Sequence, residues 1–377
     1  MSTTVMTSTN SLTVKRWEME TWLQALQNTV FGHMMARGAI YTPEELIGSN
    51  KVGDQVTFAY AGKLLGVPVG EGGTLDGNEE ALDLKSHNMV MNVSRLGVLN
   101  PNVNTIEQQR TYVKFDEVAK RQLQRRVAEL VDTSVLYQLA GAAPTSLTIG
   151  GTAYANSTDL LHVQGHNAIV APTSNRIVRA SGRSSDQALT ASDKMSLDLI
   201  DSALEAASLT LQPIEMLDGN TYDLYLSPEQ IVDLMRDSIG KVQWFNVQLS
   251  TLERSSEDNF IENRFKNNMV CAGKYRNVYI YEAPRTPYGV NGSTSAVIPT
   301  VRRGLLVGRD ALSFASPFGS RLSDNDVPVK FFAQMKDYDY FKGMEARMIY
   351  GAKKMTPTGK DDIGVIVIST YAASHSI

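Results

Sequence analysis

A long stretch without glycine or proline, from Asn104 to Leu139, constrains the fold more than any other feature of the sequence. Asn104 or Thr105 is the predicted N-cap of a helix. Apolar side chains recur at spacings of three and four, as on one face of a helix: Tyr112, Phe115, Ala119, Leu123, Val127, Leu130 and Tyr137. At 1.5 Å per residue such a helix would be about 45 Å long, which favours a spine across a large domain.

Basic residues lie among the apolar positions of this helix: Lys120, Arg121, Arg125 and Arg126. The cluster has two interpretations, a DNA-facing surface or a helix face that contacts solvent or a neighbouring subunit. The second is favoured, because charged residues on a helix are most often solvated or paired.

Two stretches of alternating apolar and polar residues, Gly53–Tyr60 and the segment from Leu82 to Leu99, flank a glycine-rich segment. Alternation with period two predicts strands, so residues 53–99 are predicted to form one long β-hairpin with an extended tip. A hairpin this long and polar is not stable alone, and it must lie against something else.

The tip, "GVPVGEGGTLDGNEEALD" at 66–83, contains Glu71, Asp76, Glu79 and Glu80 and no lysine. A phosphate-binding loop needs backbone N–H groups at a helix start and usually a Lys followed by Ser or Thr. Carboxylates around the glycines would repel a phosphate, so a nucleotide site is not predicted.

The composition is that of a soluble globular protein of 377 residues, with 42% hydrophobic and 20% charged residues. A formal net charge of −4 does not indicate broad nucleic-acid binding. The single cysteine, Cys271, permits no internal disulfide, and neither a signal peptide nor a membrane-spanning stretch is predicted. A cytoplasmic setting is therefore expected.

The N-terminal residues 1–13 are predicted to be a disordered arm. A helix is predicted from Val14 to Met35 on the spacing of its apolar residues: Met19, Trp22, Leu26, Val30 and Met34. This helix could pack on its own core or lie on a neighbouring subunit.

The second half of the chain predicts a mixed α+β domain. After an irregular segment at 141–191, Ser192 is predicted to cap a helix over 193–211. A strand at 222–226 leads into a helix through Ser227 as N-cap, Pro228 as first residue and Gln230 as the partner in a capping box. Later strands are predicted at 277–283, 303–312, 327–340, 344–355 and 364–372.

Residues that could carry catalysis or bind a metal are few. His162 and His166 lack the glutamate and helical setting of a metalloprotease, Cys271 stands in an apolar run, and Asp324 with Asp326 lacks the rest of a calcium loop. No G-x-S-x-G motif occurs. No catalytic residue, cofactor or metal site is predicted, and the chain is not expected to be an enzyme.

Three stretches in this order resemble the major capsid proteins of tailed bacteriophages, which have the Hong Kong 97-like fold. They are "VGDQVTFAYAGKLLGVPVGEGGTLDGNEEAL" (52–82), "YDLYLSPEQIVDLM" (222–235) and "YFKGMEARMIYGAKKMTPTGKDDIGVIVISTYA" (340–372). The resemblance spans most of the chain and is weakest at 1–13 and 141–191.

The resemblance implies an α+β fold with five parts. They are an N-terminal arm (1–50), an extended β-hairpin loop (51–100), a peripheral domain with the long spine helix (101–190), a mixed α+β axial domain (191–325) and C-terminal strands returning to the peripheral domain (326–377).

The implied function is self-assembly, in the host cytoplasm, into pentamers and hexamers of the icosahedral head that encloses double-stranded DNA in the virion. The expected partners are a portal protein, scaffolding or decoration proteins, and packaged DNA in weak, non-specific contact. Binding to a membrane is not expected. A nanocompartment shell of the same fold and, less favoured, a soluble enzyme are the alternatives.

The resemblance also implies that the loop tip reaches over a neighbouring subunit. The expected interface residues are Lys63, Val67, Val69, Glu71, Leu75, Asp76, Glu79 and Glu80, with the acidic ones meeting basic residues of the neighbour. In the spine helix the expected functional residues are Leu123, Val127, Leu130, Arg121, Arg125 and Arg126. Some members of this family crosslink through a lysine on the loop; Lys63 is a conceivable donor, but no acceptor is identified and crosslinking is not predicted.

Overall fold

The computed structural model describes residues 29–42, 55–62, 64, 66–82, 84–100, 115–149, 152–154, 167–210, 212–236, 271–316, 329–336, 341–357 and 360–375. The helices are α1 (Val30–Ala36), α2 (Phe115–Ala140), α3 (Leu197–Leu209) and α4 (Pro228–Arg236). The strands are β1 (Ile40–Tyr41), β2 (Gln55–Ala61), β3 (Leu84–Val90), β4 (Asn92–Asn100), β5 (Leu147–Ile149), β6 (Thr152–Tyr154), β7 (Ile177–Arg179), β8 (Tyr222–Leu226), β9 (Cys271–Tyr275), β10 (Val278–Glu282), β11 (Tyr288–Val290), β12 (Val297–Val307), β13 (Leu312–Ala315), β14 (Val329–Lys336), β15 (Phe341–Lys354) and β16 (Val365–Tyr371). The mixed α+β class agrees with the prediction.

A seven-stranded sheet has its strands in the order β7-β16-β12-β8-β10-β9, with β11 paired to β12. Both of its faces are buried. On β12, Leu306 packs in the cluster with α3 and α4, whereas Leu305 and Val307 face the cluster that contains α2. This explains why the central strands are nearly continuous apolar runs.

A five-stranded sheet lies on the other side of α2. Its order is β1-β13-β15-β14, with β4 paired along β15. Met344, Ala346 and Met348 of β15 pack in the same cluster as Val131 and Val135 of α2 and as the seven-stranded sheet. The C-terminal part of α2 therefore runs between the two sheets.

The apolar stripe predicted for the long helix is confirmed where it is described. Leu123, Val127, Leu130 and Tyr137 are buried, and the helix ends at Ala140 before Gly141. Gly141 has φ +58°, and a Cβ there would lie 2.5 Å from the carbonyl oxygen of Val170, so a glycine is needed. The predicted N-terminal turns, with Tyr112, lie outside the described residues.

Every residue of α2 from Val131 to Ala140 is buried, including polar ones that the stripe did not predict. The Asp132 carboxylate accepts hydrogen bonds from the Phe31 amide (3.0 Å) and from Arg285 (3.3 Å). The Gln138 amide donates to the carbonyl oxygen of Asn167 at 2.6 Å. These bonds satisfy the Asp132 carboxylate and the Gln138 Nε2, which would otherwise be costly to bury.

The predicted β-hairpin is present, but it is shorter than predicted. Strands β2 and β3 pair in antiparallel register from Gln55–Val90 to Ala61–Leu84, but the hairpin ends at Val90. After Met91, the segment 92–100 pairs with β15 instead. The reason is its apolar alternation, which packs Leu96 and Val98 against the cluster around α2.

The predicted capping box at the start of α4 is confirmed. The Ser227 amide donates to Oε1 of Gln230 at 3.0 Å, and the Gln230 amide donates to the Ser227 hydroxyl at 3.2 Å. The start predicted for α3 is wrong by four residues. Asp193 accepts hydrogen bonds from the Thr190 amide and Arg183, which holds it in a turn before the helix begins at Leu197.

One prediction about a strand is also wrong. The single strand over 303–312 is two strands, β12 and β13, because the chain turns at Asp310 (φ +51°) and passes to the other sheet. Of the C-terminal strands, β14 and β15 pair with each other in the five-stranded sheet, whereas β16 pairs with β12 and β7. The irregular segment at 141–191 contains, where described, only short strands and single 3₁₀ turns.

Several predictions fall outside the described residues: the arm at 1–13, most of the helix predicted over 14–35, Lys63, His162 and His166, Asp324 and Asp326. Of the N-terminal helix, the described part is α1, where Val30, Phe31 and Met34 are buried in the chain's own core. None of the described helices is both long enough and apolar enough to cross a membrane.

Candidate functional site

The hairpin loop between β2 and β3 is the most exposed part of the described chain. All of residues 66–82 are exposed. Apolar side chains are exposed together with the polar ones: Leu64 by 59%, Val67 by 85%, Leu75 by 64% and Leu82 by 57%. The two paired arms alone extend about 23 Å at 3.3 Å per residue. A loop of this reach with uncovered apolar groups is typical of an interaction site.

Glu79 and Glu80 hold the loop together from within. The Gly77 amide donates to Oε2 of Glu79 at 2.8 Å, and the Gly66 amide donates to Oε2 of Glu80, which joins the two sides of the loop. A turn closes with the Gly73 amide donating to the carbonyl of Gly70 at 3.0 Å. The sequence predicted that both glutamates contact a neighbouring subunit, but it did not predict these hydrogen bonds within the loop.

Glu71 and Asp76 differ from the two glutamates. Both are exposed, and neither has a hydrogen bond or an ion pair within the described part of the chain. Val67, Val69 and Leu75 likewise pack in none of the hydrophobic clusters. These five predicted interface residues are therefore available to a partner.

The base of the hairpin is held rigidly against the five-stranded sheet. The His87 ring is buried, with Nε2 3.1 Å from the Ser313 hydroxyl and Nδ1 3.4 Å from the carbonyl oxygen of Thr356. Burial, together with the charge of Lys353, lowers its pKa to about 4, so the ring is neutral at neutral pH. Met89 packs with Met91 and Ala315 beneath it.

Asn167 fixes the end of the hairpin. Its side-chain amide imitates a neighbouring strand, because Nδ2 donates to the Val90 carbonyl at 2.7 Å while Oδ1 accepts from the Val90 amide at 2.9 Å. The chain approaches so closely here that a Cβ at Gly351 would lie 2.7 Å from the Val90 oxygen. Sequence reasoning missed His87, Asn167 and Gly351, since none of them belongs to a local pattern.

Two of the basic residues of α2, Arg125 and Arg126, form ion pairs within the chain. Glu129 lies 3.3 Å from Arg125 and 3.6 Å from Arg126, and it also contacts Arg285 at 3.2 Å. Arg121 is exposed one turn before them. The geometry agrees with a solvated or subunit-facing helix surface, the interpretation that the sequence favoured.

The described residues hold no cluster of three or more His, Cys, Asp or Glu side chains that could bind a metal. Cys271 is buried in β9, as its apolar neighbours predicted. His33 is buried and hydrogen-bonded to the Tyr225 hydroxyl at 2.8 Å, and burial lowers its pKa to about 4. These are the features of structural residues.

The sequence model of a family described as phage capsid protein matches residues 5–374, nearly the whole chain. The chain belongs to this family. Phage capsid proteins are structural components of a self-associating shell, so this protein is a bacteriophage capsid protein, located in the virion capsid, and not an enzyme. No curated protein matches the chain.

Solved phage capsids share the fold of this capsid protein. The capsid of Ralstonia phage GP4 superimposes with a TM-score of 0.69 at 20% identity, over 91% of this chain and 92% of that chain. The capsid of cyanophage Pam1 gives 0.58 at 18% identity, over 89% of both chains. The capsid of Helicobacter pylori bacteriophage KHP30 gives 0.55 at 12% identity, over 88% and 87%.

Proposed function

We propose that this capsid protein is the major subunit of an icosahedral tailed-phage head, assembled in the host cytoplasm from pentamers and hexamers around double-stranded DNA. The proposed fold is Hong Kong 97-like. In it, residues 55–90 are the extended loop and α2 is the spine helix of the peripheral domain.

The observation that carries the proposal is the hairpin loop at 66–82. The loop has internal hydrogen bonds and a fixed base, yet its side chains are exposed. Its base is fixed by His87 and Asn167, and its turns are closed by internal hydrogen bonds. Its apolar side chains nevertheless pack in none of the hydrophobic clusters formed by the described residues. A donor element of this kind, distinct from the surface that accepts it, produces head-to-tail contacts, and such contacts form rings when the rotation between subunits closes.

Packaged DNA would meet this shell through weak contacts. A net charge of −4 and the pairing of Arg125 and Arg126 with Glu129 leave little excess positive charge for binding phosphates. Portal, scaffolding or decoration proteins are the further partners that such a head needs.

The test uses both the purified chain and phage particles. Sedimentation and electron microscopy of the expressed chain should detect large particles with five-fold vertices. Virions that contain the chain should protect double-stranded DNA from nuclease. Shells filled with protein and free of DNA would overturn the phage-head assignment in favour of a nanocompartment. A chain that is a minor component of purified virions would overturn its role as the major subunit.

A further inference from the structure

The turn between β11 and β12 contains the only Asn-Gly pair in the sequence, Asn291–Gly292. The Asn291 amide donates to the Ala296 carbonyl and the Ser295 amide donates to the Asn291 carbonyl, both at 2.9 Å, and these two bonds close the turn. Gly292 is exposed, and a Cβ placed there would meet no atom within 4 Å. Solvent therefore reaches the peptide bond between Asn291 and Gly292.

An Asn-Gly pair can change covalently without an enzyme. The backbone nitrogen of the glycine loses its proton to hydroxide or a buffer base and attacks Cγ of the asparagine. The side-chain nitrogen takes up a proton from water and leaves as ammonia, so that a cyclic imide forms. Water then opens the imide at either carbonyl group, which gives aspartate or isoaspartate. Glycine permits the attack best because it has no Cβ to shield the nitrogen.

The side chain of Asn291 is held as the electrophile of this reaction. Its Oδ1 accepts hydrogen bonds from the Ser293 amide at 2.9 Å and from the Thr294 amide at 3.3 Å. When Cγ is attacked, Oδ1 becomes the negatively charged oxygen of the tetrahedral intermediate. Two backbone N–H groups that already donate to this oxygen stabilise the charge, as the donors of an oxyanion hole do.

The attacking nitrogen is restrained by a side chain from another segment. The Gly292 amide donates to Oε1 of Gln187 at 3.2 Å. Gln187 follows Asp186, whose buried carboxylate accepts hydrogen bonds from Arg179 and Arg303, and these bonds fix the 3₁₀ turn that carries Gln187. Loss of the amide proton would place a negatively charged nitrogen against an acceptor oxygen. The bond to Gln187 therefore opposes the first step.

We propose that Asn291 is a site of spontaneous deamidation, and that the hydrogen bond from the Gly292 amide to Gln187 sets the rate. The backbone donors to Oδ1 favour the reaction and Gln187 opposes it, so the modification is slow while Gln187 is in place. This assignment is independent of the proposed function, because it needs only the fold of a single chain.

The product would alter a contact between segments. Isoaspartate at 291 lengthens the main chain by a methylene group at the point where the turn closes. The Ser295 carbonyl in this turn accepts from the Thr145 amide at 3.0 Å, which joins the turn to the segment after α2. A longer main chain weakens this contact, and each modified subunit also gains a negative charge. Particles would therefore become more acidic as they age.

Peptide mapping by mass spectrometry tests the site. The purified full chain is kept in a mildly alkaline buffer, and aspartate and isoaspartate at position 291 are measured over time. Gln187→Ala removes the acceptor at an exposed position and should raise the rate about three- to tenfold, the net effect of one hydrogen bond. Gln187→Glu keeps an acceptor oxygen and is the matched control, which should not exceed the wild-type rate. Circular dichroism checks that each variant is folded, and Gln187→Met replaces Gln187→Ala if that variant is not.

A synthetic peptide of residues 288–296 gives the rate without the fold. The folded Gln187→Ala chain should exceed the peptide, because only the folded chain holds the donors to Oδ1 in place. Equal rates in wild type and Gln187→Ala would overturn the role of Gln187. If the peptide deamidates and neither folded chain gives product at Asn291, the site itself is overturned.

Discussion

Burial shifts the pKa of several titratable residues in this protein. His87 and His33 are neutral at neutral pH because desolvation lowers the pKa of each to about 4. Desolvation acts in the opposite direction on the Asp132 carboxyl, whose pKa rises to about 6. Between pH 6.5 and 4 the unfolded state binds the histidine protons and the folded state does not, so both histidines make the protein less stable as the pH falls. Asp132 opposes this trend, because the folded state binds its proton first.

We expect His87 to reduce the free energy of unfolding by about 3 kcal/mol between pH 6.5 and pH 4. The measurement is the difference in unfolding free energy between wild type and His87→Asn at each pH, which cancels the contribution of Asp132. His87→Asn should be less stable than wild type at pH 7, and the gap should narrow as the pH falls. A gap that does not depend on pH would contradict the prediction.

Substitutions at Glu79 and Glu80 can separate the effect of the loop's shape on assembly from the effect of its charge. Glutamine at both positions keeps an acceptor oxygen for the Gly77 and Gly66 amides, whereas lysine removes the acceptor and reverses the charge. We expect Glu79→Lys with Glu80→Lys to leave the circular dichroism of the free subunit unchanged and to block or misdirect assembly. The double glutamine variant should assemble nearly as wild type does. Normal particle yield from the double lysine variant, measured by sedimentation, would show that neither shape nor charge at these positions matters.

At the scale of elements, the described residues pack α2 on both sides and pack the hairpin at its base. Leu123 and Val127 are 3% and 6% exposed, and the residues after Leu130 lie between two sheets. Among the described residues, the hairpin base packs in the small cluster of Met89, Met91 and Ala315, with Val56 and Phe58 against it. We therefore expect α2 to be a rigid support and the exposed loop to be the more mobile element.

Leu123→Asp or Val127→Asp places an unpaired charge in the core and should cost several kcal/mol, enough to abolish soluble expression. Arg121→Asp, on the exposed side of the same helix, is the matched control and should change stability by less than about 0.5 kcal/mol. The amount of soluble protein and its thermal unfolding give the answer. Normal folding of both core variants would mean that this stripe does not support the fold.

Hydrogen exchange distinguishes the two parts of the hairpin. In the free subunit we expect fast exchange over 66–82 and slower exchange near Met89 and Val90, where the amide of Val90 bonds to Asn167. After assembly the loop should become protected, because a second copy covers it. Strong protection throughout 66–82 before assembly would contradict a role that depends on a partner.

At the scale of the whole molecule, the charge distribution does not favour tight binding of nucleic acid. The net charge is −4, and Arg125 and Arg126 of α2 share Glu129. The exposed hairpin loop is acidic, and its carboxylates would repel phosphates.

We expect short duplex DNA to bind the free subunit weakly, without sequence preference, and to be released by moderate salt, because only a few phosphates can be neutralised. Fluorescence anisotropy at two salt concentrations with two unrelated duplexes measures this, and a strongly basic peptide serves as the positive control. A tight complex that resists salt and prefers one sequence would contradict the proposed weak contact.

The sequence by itself determined the features that depend on neighbouring residues. The capping box of Ser227 and Gln230, the pairing of β2 with β3 and the buried stripe of Leu123, Val127 and Leu130 follow from periodicity and from hydrogen bonds within a few residues. The stretches that resembled phage capsid proteins were sufficient to indicate the family.

Only the tertiary structure decided which strands pair across the chain and which polar groups are buried. The segment 92–100 pairs with β15, about 250 residues away along the chain, where Leu96 and Val98 pack against the cluster around α2. Asp132 and Gln138 became core residues because Phe31, Arg285 and Asn167 supply partners for them. Strand pairing and burial depend on contacts between distant segments, and no pattern within a single segment specifies those contacts.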